Sequence, residues 1–374
     1  MRNLSMKQIS LIVSVIVFSI LLLTVIIILN FTKGDVRVDV LKDSTKVGLI
    51  LGGPKDDRSW GQSHYEALIS VADDLNLEII CRDNVPGDEK CSDVIRELAG
   101  SGCRIIIANS LGYGKYINAA AAEFPDIWFL HATGLEEAPN ICTFFGRMYQ
   151  IRYLSGIVAG LQTETGSIGY VASFPISEVN RGINAFTLGV RSVNPDAVVH
   201  VAFCESWDDG AAAKSCAEKL MDSYDTDIMT MHTNSAAPLE AANERGIWTI
   251  GYNYDNSDVF PYTYLTGCVW NWEPYYREQI LACLQGKFSS GYKWLGIESG
   301  IVKLVDPAET GNAVPACREA LEKARARFDT FSFDVFYGPI RDNTGEIRIP
   351  EGESMSDVNM LNRFDWYVEG VEID

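Results

Sequence analysis

The chain has 374 residues, 47 % hydrophobic and 22 % charged, a globular composition that excludes the disordered and low-complexity classes. Its 31 Lys and Arg stand against 50 Asp and Glu, a formal charge of −19, and the acidic excess falls after residue 45. A body that acidic repels phosphate backbones and anionic lipid headgroups, which excludes a general nucleic-acid binder and leaves membrane attachment to hydrophobic contact.

Residues 1–8 carry Arg2 and Lys7, and residues 9–29 (ISLIVSVIVFSILLLTVIIIL) hold no charge and only Ser10, Ser14, Ser19 and Thr24 as polar side chains. As a helix this run is about 31 Å long, the thickness of a hydrocarbon core. The flanking cations place residues 1–8 in the cytoplasm and the body outside. The run is longer than the roughly 7–15 residues of a signal-peptide core. Behind it, Asn30-Phe31-Thr32-Lys33 offers no small-x-small cleavage site, and the first cysteine, Cys81, lies too far on to carry a lipid. Residues 9–29 are therefore expected to be an uncleaved single-pass signal anchor, with cleavage at a poor site as the alternative, and the polar residues 30–45 a linker.

Short β-rich runs then alternate with stretches of helical spacing. Strands are expected at 46–51, 77–81, 104–108 and 127–131, with helices at 59–72, 88–99 and 115–123 between them. The rhythm restarts with strands at 167–172, 197–203, 227–232 and 247–252 and helices near 178–192, 209–222 and 235–245. Such alternation means βαβ units and mostly parallel sheets covered by helices, an α/β fold. Two runs predict two lobes, 46–164 and 165–265. A strand at 264–270, a helix from Glu273, a strand at 300–305 and a helix near 312–328 follow. They complete the first lobe with part of 266–295 and the second with part of 296–374, so the chain crosses between lobes more than once.

Nine cysteines fall in the body, an odd number that leaves at least one unpaired within the chain. Cys81 with Cys91, and Cys204 with Cys216, flank short loops that a bridge could span; buried thiols are the blander reading. No CxxC pair supports a zinc or thiol-redox site.

Ligands of open α/β sheets bind beyond the carboxyl ends of the strands. After the first strand stands Gly52-Gly53-Pro54-Lys55-Asp56-Asp57-Arg58-Ser59-Trp60-Gly61-Gln62-Ser63-His64. Asp57 or Ser59 suits the cap of the next helix, and Asp57 is equally suited to accept from a ligand. Trp60 either packs on its own lobe or offers a flat face to a planar ligand. Later strand ends supply Asn109, His131, Phe174, Trp207, His232, Asn253, Asp255 and Trp270. Rings mixed with amides and few charges suit a small, flat, mostly uncharged ligand. There is no G-x-x-x-x-G-K-[ST] loop, no G-x-G-x-x-G after a strand, no G-x-S-x-G and no H-E-x-x-H, so neither nucleotide binding nor catalysis finds support. No catalytic residue, metal or cofactor is expected.

From Lys46 onward the chain resembles the basic membrane protein (BMP) family of substrate-binding proteins, which serve ABC-type importers. The matching stretches, in order, are KVGLILGGPKDDRSWGQSHYEAL, EFPDIWFLHATG (123–134), FGRMYQIRYLSGIVAG (145–160), SIGYVASFPISEVNRGINAFTLGVRSVNPDA (167–197), IWTIGYNYDNSD (247–258), VWNWEPYYREQI (269–280) and FYGPIRDNTGEIRIPEGESMSD (336–357). This resemblance implies a type I periplasmic binding protein fold, with two lobes joined by crossover strands and the ligand in the cleft. It also implies a purine nucleoside or nucleobase held between aromatic side chains.

Departures from the family pattern refine that expectation. Nucleoside-binding members tend to carry Phe where Trp60 stands and Asn where Gly61 stands. They tend to carry a ribose-binding Asp at the place of Asn253 and a Lys at that of Trp270. Missing ribose partners leave buried hydroxyls unpaired, so intact nucleoside is less favoured than free base. His64 and the Trp270-Asn271-Trp272 run with Tyr275-Tyr276 resemble the nucleobase branch. The ligand-binding residues expected are Asp57, Trp60, His64, Asn109, Phe174, Trp207, His232, Asn253, Asp255 and Trp270, with Trp60 and Phe174 on opposite faces of the base. Truncating Trp60 should then weaken binding and scarcely disturb folding. The function expected is an extracytoplasmic substrate-binding protein of an ABC importer, partnered by permease and ATPase subunits and held to the membrane through residues 9–29. The alternatives are a membrane-tethered receptor of the same fold, favoured by the single span and the missing lipobox, and a nucleoside-processing enzyme.

Overall fold

The computed structural model describes residues 44–374 apart from 329, 331 and 332. The cytoplasmic tail, the anchor at 9–29 and nearly all of the linker lie outside the described residues. No helix among the described residues is long and apolar enough to cross a membrane.

The chain opens with β1 (Thr45–Ile50), α1 (Trp60–Ala72), β2 (Leu77–Arg82), α2 (Lys90–Gly100), β3 (Ile105–Ala108), α3 (Gly114–Glu123), β4 (Trp128–Ala132) and β5 (Ile141–Gly146). Next come α4 (Met148–Gln162), β6 (Ser167–Ala172), α5 (Ser177–Arg191), β7 (Val198–Phe203), α6 (Gly210–Ser223), β8 (Ile228–His232), α7 (Ala237–Glu244), β9 (Trp248–Asn253) and β10 (Tyr264–Trp270). The last third holds α8 (Glu273–Leu284), β11 (Gly291–Leu295), β12 (Val302–Leu304), α9 (Pro307–Thr310), α10 (Ala316–Phe328), a small hairpin of β13 (Ile340–Arg341) and β14 (Ile347–Ile349), α11 (Asp357–Asn362) and β15 (Val371–Ile373).

Two sheets result, six-stranded β11-β5-β4-β3-β1-β2 and seven-stranded β12-β10-β9-β8-β6-β7-β15. The first is parallel throughout, and the second is parallel except where β12 returns against β10. Parallel strands covered on both faces are continuously apolar, as in β3 (IIIA, buried throughout). The helices that cover them are one-sided: α2 buries Cys91, Ile95 and Leu98, four and three residues apart.

The chain leaves the first sheet at Arg147. β5 is the last strand of that run, and α4 packs on α5, β10, β12 and α10 of the second lobe. The crossing therefore falls before α4, and not near residue 164 as the sequence rhythm had placed it. A second crossing runs through Asn271 and Trp272, since β10 lies in the second sheet while α8 packs on α1. A third lies between β11 and β12. α4 and α5 touch backbone to backbone. A Cβ on Gly156 would sit 2.0 Å from the Phe186 carbonyl oxygen, and one on Gly189 2.0 Å from that of Tyr153.

All nine cysteines are free thiols, Cys81 and Cys216 half-buried and the other seven buried, so neither local bridge is formed.

Candidate ligand-binding cleft

The turn between β1 and α1 is organised by Asp57. Its Oδ1 accepts from the Ser59 and Gln62 N–H groups at 2.8 and 2.9 Å, and its Oδ2 from Gly61 N–H at 2.8 Å. Asp57, and not Ser59, thus satisfies the orphan donors of the α1 N-terminus. Burial pushes its pKa up against the pull of those donors, and Asp208 of the other lobe adds a like charge. The same tight turn explains Gly61: a Cβ there would lie 2.1 Å from the Pro54 carbonyl oxygen.

Trp60, half-buried, donates its Nε1–H to the Asn109 carbonyl at 2.8 Å. Its indole stands edge-to-face against His64, Trp270, Trp272 and Phe145 at centroid distances of 4.3, 5.4, 5.6 and 6.2 Å. Trp272, on the second crossing, stacks between Trp270 and His64 at 4.7 Å on each side. His64 is fully buried, hydrogen-bonded through Nδ1 to the Tyr276 hydroxyl, and burial holds its pKa well below 6.5. It is a neutral buried ring packed against Trp60, Trp272 and Tyr276.

On the second lobe, Phe174 after β6 and Trp207 after β7 are half-buried, with rings 6.1 Å apart. Beneath them His232 is buried, 6.2 Å from Trp207 and 4.4 Å from Tyr252. Its Nε2 faces Glu178 Oε1 and its Nδ1 the Tyr170 hydroxyl, each at 3.1 Å. Burial lowers its pKa while Glu178 opposes that shift. The buried Arg152 guanidinium lies 4.1 Å from the Tyr252 ring, and its Nη2–H donates to the Met231 carbonyl at 2.7 Å. His232 is thus the floor of this wall, supported from below.

Asn253 ties the lobes together. Its Nδ2 donates to Ser59 Oγ at 3.0 Å and to Asn234 Oδ1 at 3.1 Å, while its Oδ1 accepts from Trp270 Nε1–H at 2.9 Å. Arg58 adds a second tie, with Nε–H on Asn256 Oδ1 at 3.0 Å and an ion pair to Asp258. Asn109 accepts from Gly52 N–H through Oδ1 at 3.0 Å. Its Nδ2, like Ser173 Oγ at the end of β6, is buried without a hydrogen-bond partner among the described residues.

The structure thus brings Asp57, Trp60, Asn109, Asn253 and Trp270 into one contact network and sets Phe174, Trp207 and His232 as a second group. Asp255 belongs to neither. It is exposed, accepts from Ser257 N–H at 2.9 Å and lines a separate groove of about 260 Å³ with Asp258, Pro261 and Asn312. Phe145, 5.1 Å from Trp270, was not anticipated, because its strand was not. The residues after strands otherwise serve the fold: His131 is buried with Nδ1 on Glu136 at 2.8 Å and Nε2 on the Ser110 carbonyl at 2.7 Å. Among the described residues no group of three or more His, Cys, Asp or Glu is placed to hold a metal ion.

Two parallel-sheet lobes, three crossings and strand ends that meet between the lobes define a protein of the type I periplasmic binding fold. A solved structure of an ABC transporter solute-binding protein from Conexibacter woesei superposes with a TM-score of 0.67 at 19 % identity, covering 78 % of this chain and 98 % of that one. The chain belongs to the Bmp family of PnrA-like ABC transporter substrate-binding proteins, which it matches over residues 44–324. It is 34 % identical to a purine-binding protein of Brucella abortus over 88 % of this chain and 94 % of that protein. A Haloferax volcanii protein provisionally named an ABC transporter glucose-binding protein is 31 % identical over 84 % of this chain and 77 % of its own length.

Proposed function

We propose that this chain captures a free purine base in the cleft as the extracytoplasmic binding component of an ABC importer. Residues 9–29 would tether it to the membrane, and permease and ATPase subunits would be its partners. The observation that carries the reading is an aromatic group at the strand ends of each lobe, Trp60 on one and Phe174 with Trp207 on the other, together with the buried strand-end amides Asn109 and Asn253. A flat apolar ring system edged with hydrogen-bonding atoms is what such a site takes. Asn109 Nδ2 and Ser173 Oγ are unspent buried groups at the strand ends of the two lobes, suited to the polar edge of a base. The name of the Brucella relative points the same way. Free base is favoured over nucleoside because both ends of the Asn253 amide are already bonded within the protein. A ribose would find no free partner there.

The test is isothermal titration of the full-length chain with adenine, guanine, hypoxanthine, adenosine, glucose and a set of amino acids. At least one base should bind more tightly than adenosine, and it should be recovered unchanged after prolonged incubation. Binding of glucose alone, or of amino acids alone, would overturn the ligand. Conversion of a bound nucleoside to products would make the chain an enzyme.

A further inference from the structure

The last forty residues return to the hinge. Arg147, the single residue between β5 and α4, makes a two-pronged ion pair with Asp357 at the start of α11: Nη1–H to Oδ1 at 3.0 Å and Nη2–H to Oδ2 at 2.5 Å. Its guanidinium carbon lies 4.0 Å from the ring centroid of Trp294, on β11 of the first lobe. Arg181, on α5 of the second lobe, reaches the same ring at 5.0 Å, and its Nη1–H donates to the Met360 carbonyl of α11 at 2.6 Å. Tyr149, just past the first crossing, donates its hydroxyl to Asp334 at 3.0 Å. Trp294 in turn donates Nε1–H to the Gly146 carbonyl at 3.1 Å.

One indole of the first lobe is therefore met by two guanidinium groups, and both are anchored on α11, which packs on α5 of the second lobe. Arginine on an aromatic face and arginine forked onto a carboxylate are each directional contacts, so the arrangement fixes an angle. Rotation of the lobes moves Trp294 relative to Arg181.

We propose that α11 is a latch on the hinge, holding the first lobe at a set angle to the second through Arg147 and Arg181 on Trp294. The latch concerns the opening of the lobes and not the ligand, so it stands apart from the purine reading. The Asp357 carboxylate is 54 % exposed and the Arg147 side chain 21 %, which makes the pair weak enough to open and close. The test is hydrogen–deuterium exchange of the full-length chain without ligand, read on peptides spanning 143–150 and 292–301. Asp357→Asn should speed exchange there by about two- to fivefold, the range of an ion pair of this exposure, while peptides of β1 to β4 and β6 to β9 stay as in the parent. Trp294→Leu, which keeps apolar bulk but removes the ring, should give the same local pattern. Unchanged exchange at the two crossings in either variant, or a uniform rise across the molecule, would overturn the latch.

Discussion

Replacing Trp60 separates binding from packing. If the indole covers one face of a base, its removal costs roughly 1–3 kcal/mol of stacking, so Trp60→Ala should weaken binding about 5- to 150-fold. The structure also sets a folding cost that the sequence did not disclose. Trp60 donates a hydrogen bond to the Asn109 carbonyl and touches four rings edge-on. The hydrogen bond is worth about 1 kcal/mol, and the ring contacts about 0.5–1.5 kcal/mol per pair. These would sum to about 3–7 kcal/mol if additive; for a half-buried side chain whose neighbours pack on one another the low end, about 3 kcal/mol, is expected, at the lower edge of the roughly 3–5 kcal/mol for a core Trp. The expectation of an almost neutral folding effect is corrected accordingly. Trp60→Phe keeps a flat ring and removes the Nε1–H, so it should lose about 1 kcal/mol of stability and less than about threefold in affinity, well under the stacking loss. Affinity is read by titration with the tightest-binding base, and stability by urea unfolding. An alanine variant with parental affinity and a full core-sized stability loss would refute the reasoning and assign Trp60 to the packing of its own lobe.

Asn253→Asp puts a carboxylate oxygen where an N–H now meets Asn234 Oδ1; it should cost about 1–3 kcal/mol in urea unfolding, and a gain of adenosine binding at no cost in stability would contradict this. Gly189→Ala drives a methyl onto the Tyr153 carbonyl and should lower stability by at least about 2 kcal/mol, measured by the same unfolding curves. His64 is held neutral by burial with its pKa well below 6.5, so on acidification the unfolded chain takes the proton first. Stability should be flat in this group above about pH 6.5 and fall below it, and thermal melts of His64→Phe from pH 7.5 to 5 should show a shallower decline than the parent. Asp57→Ala leaves three N–H groups of the first α1 turn without their acceptor and should cost about 1–2 kcal/mol in urea at pH 7.

Most strands and helices could be read from the alternation of apolar runs, because parallel strands and one-sided helices each have a period. β5, α4 and β11 could not. β5 is buried at every position and runs after one residue into α4, which buries every residue but Leu161 and so shows no polar stripe. Without a period or a turn signal, the stretch has no mark of where one lobe ends. β11 (GYKWL) is only partly buried and mixed in composition. The strand-end rule anticipated that Asn109, Phe174, Trp207, His232, Asn253 and Trp270 stand at or just beyond strand ends, since position after a strand follows from the strand itself. It could not separate a wall from its backing. His64 and Trp270 both follow such signals, yet the burial of His64 depends on Trp272 and Tyr276, more than two hundred residues away in the chain. Asp255 turns outward because its carboxylate closes a local turn onto Ser257, a choice that spacing leaves open.

The pairing of β11 with β5 and of β15 with β7 also sets an order of assembly during synthesis. β5 lacks its outer neighbour until residues 291–295 have been made, and β7 until residues 371–373 have. In the interval each presents a row of unpaired backbone groups, which other chains can template on. Contacts this distant in sequence also form slowly. A growing chain of this topology therefore carries both open edges together from the completion of β7 until β11 is made, and the second closes only when Val371, Glu372 and Ile373 align with Val199, His200 and Val201.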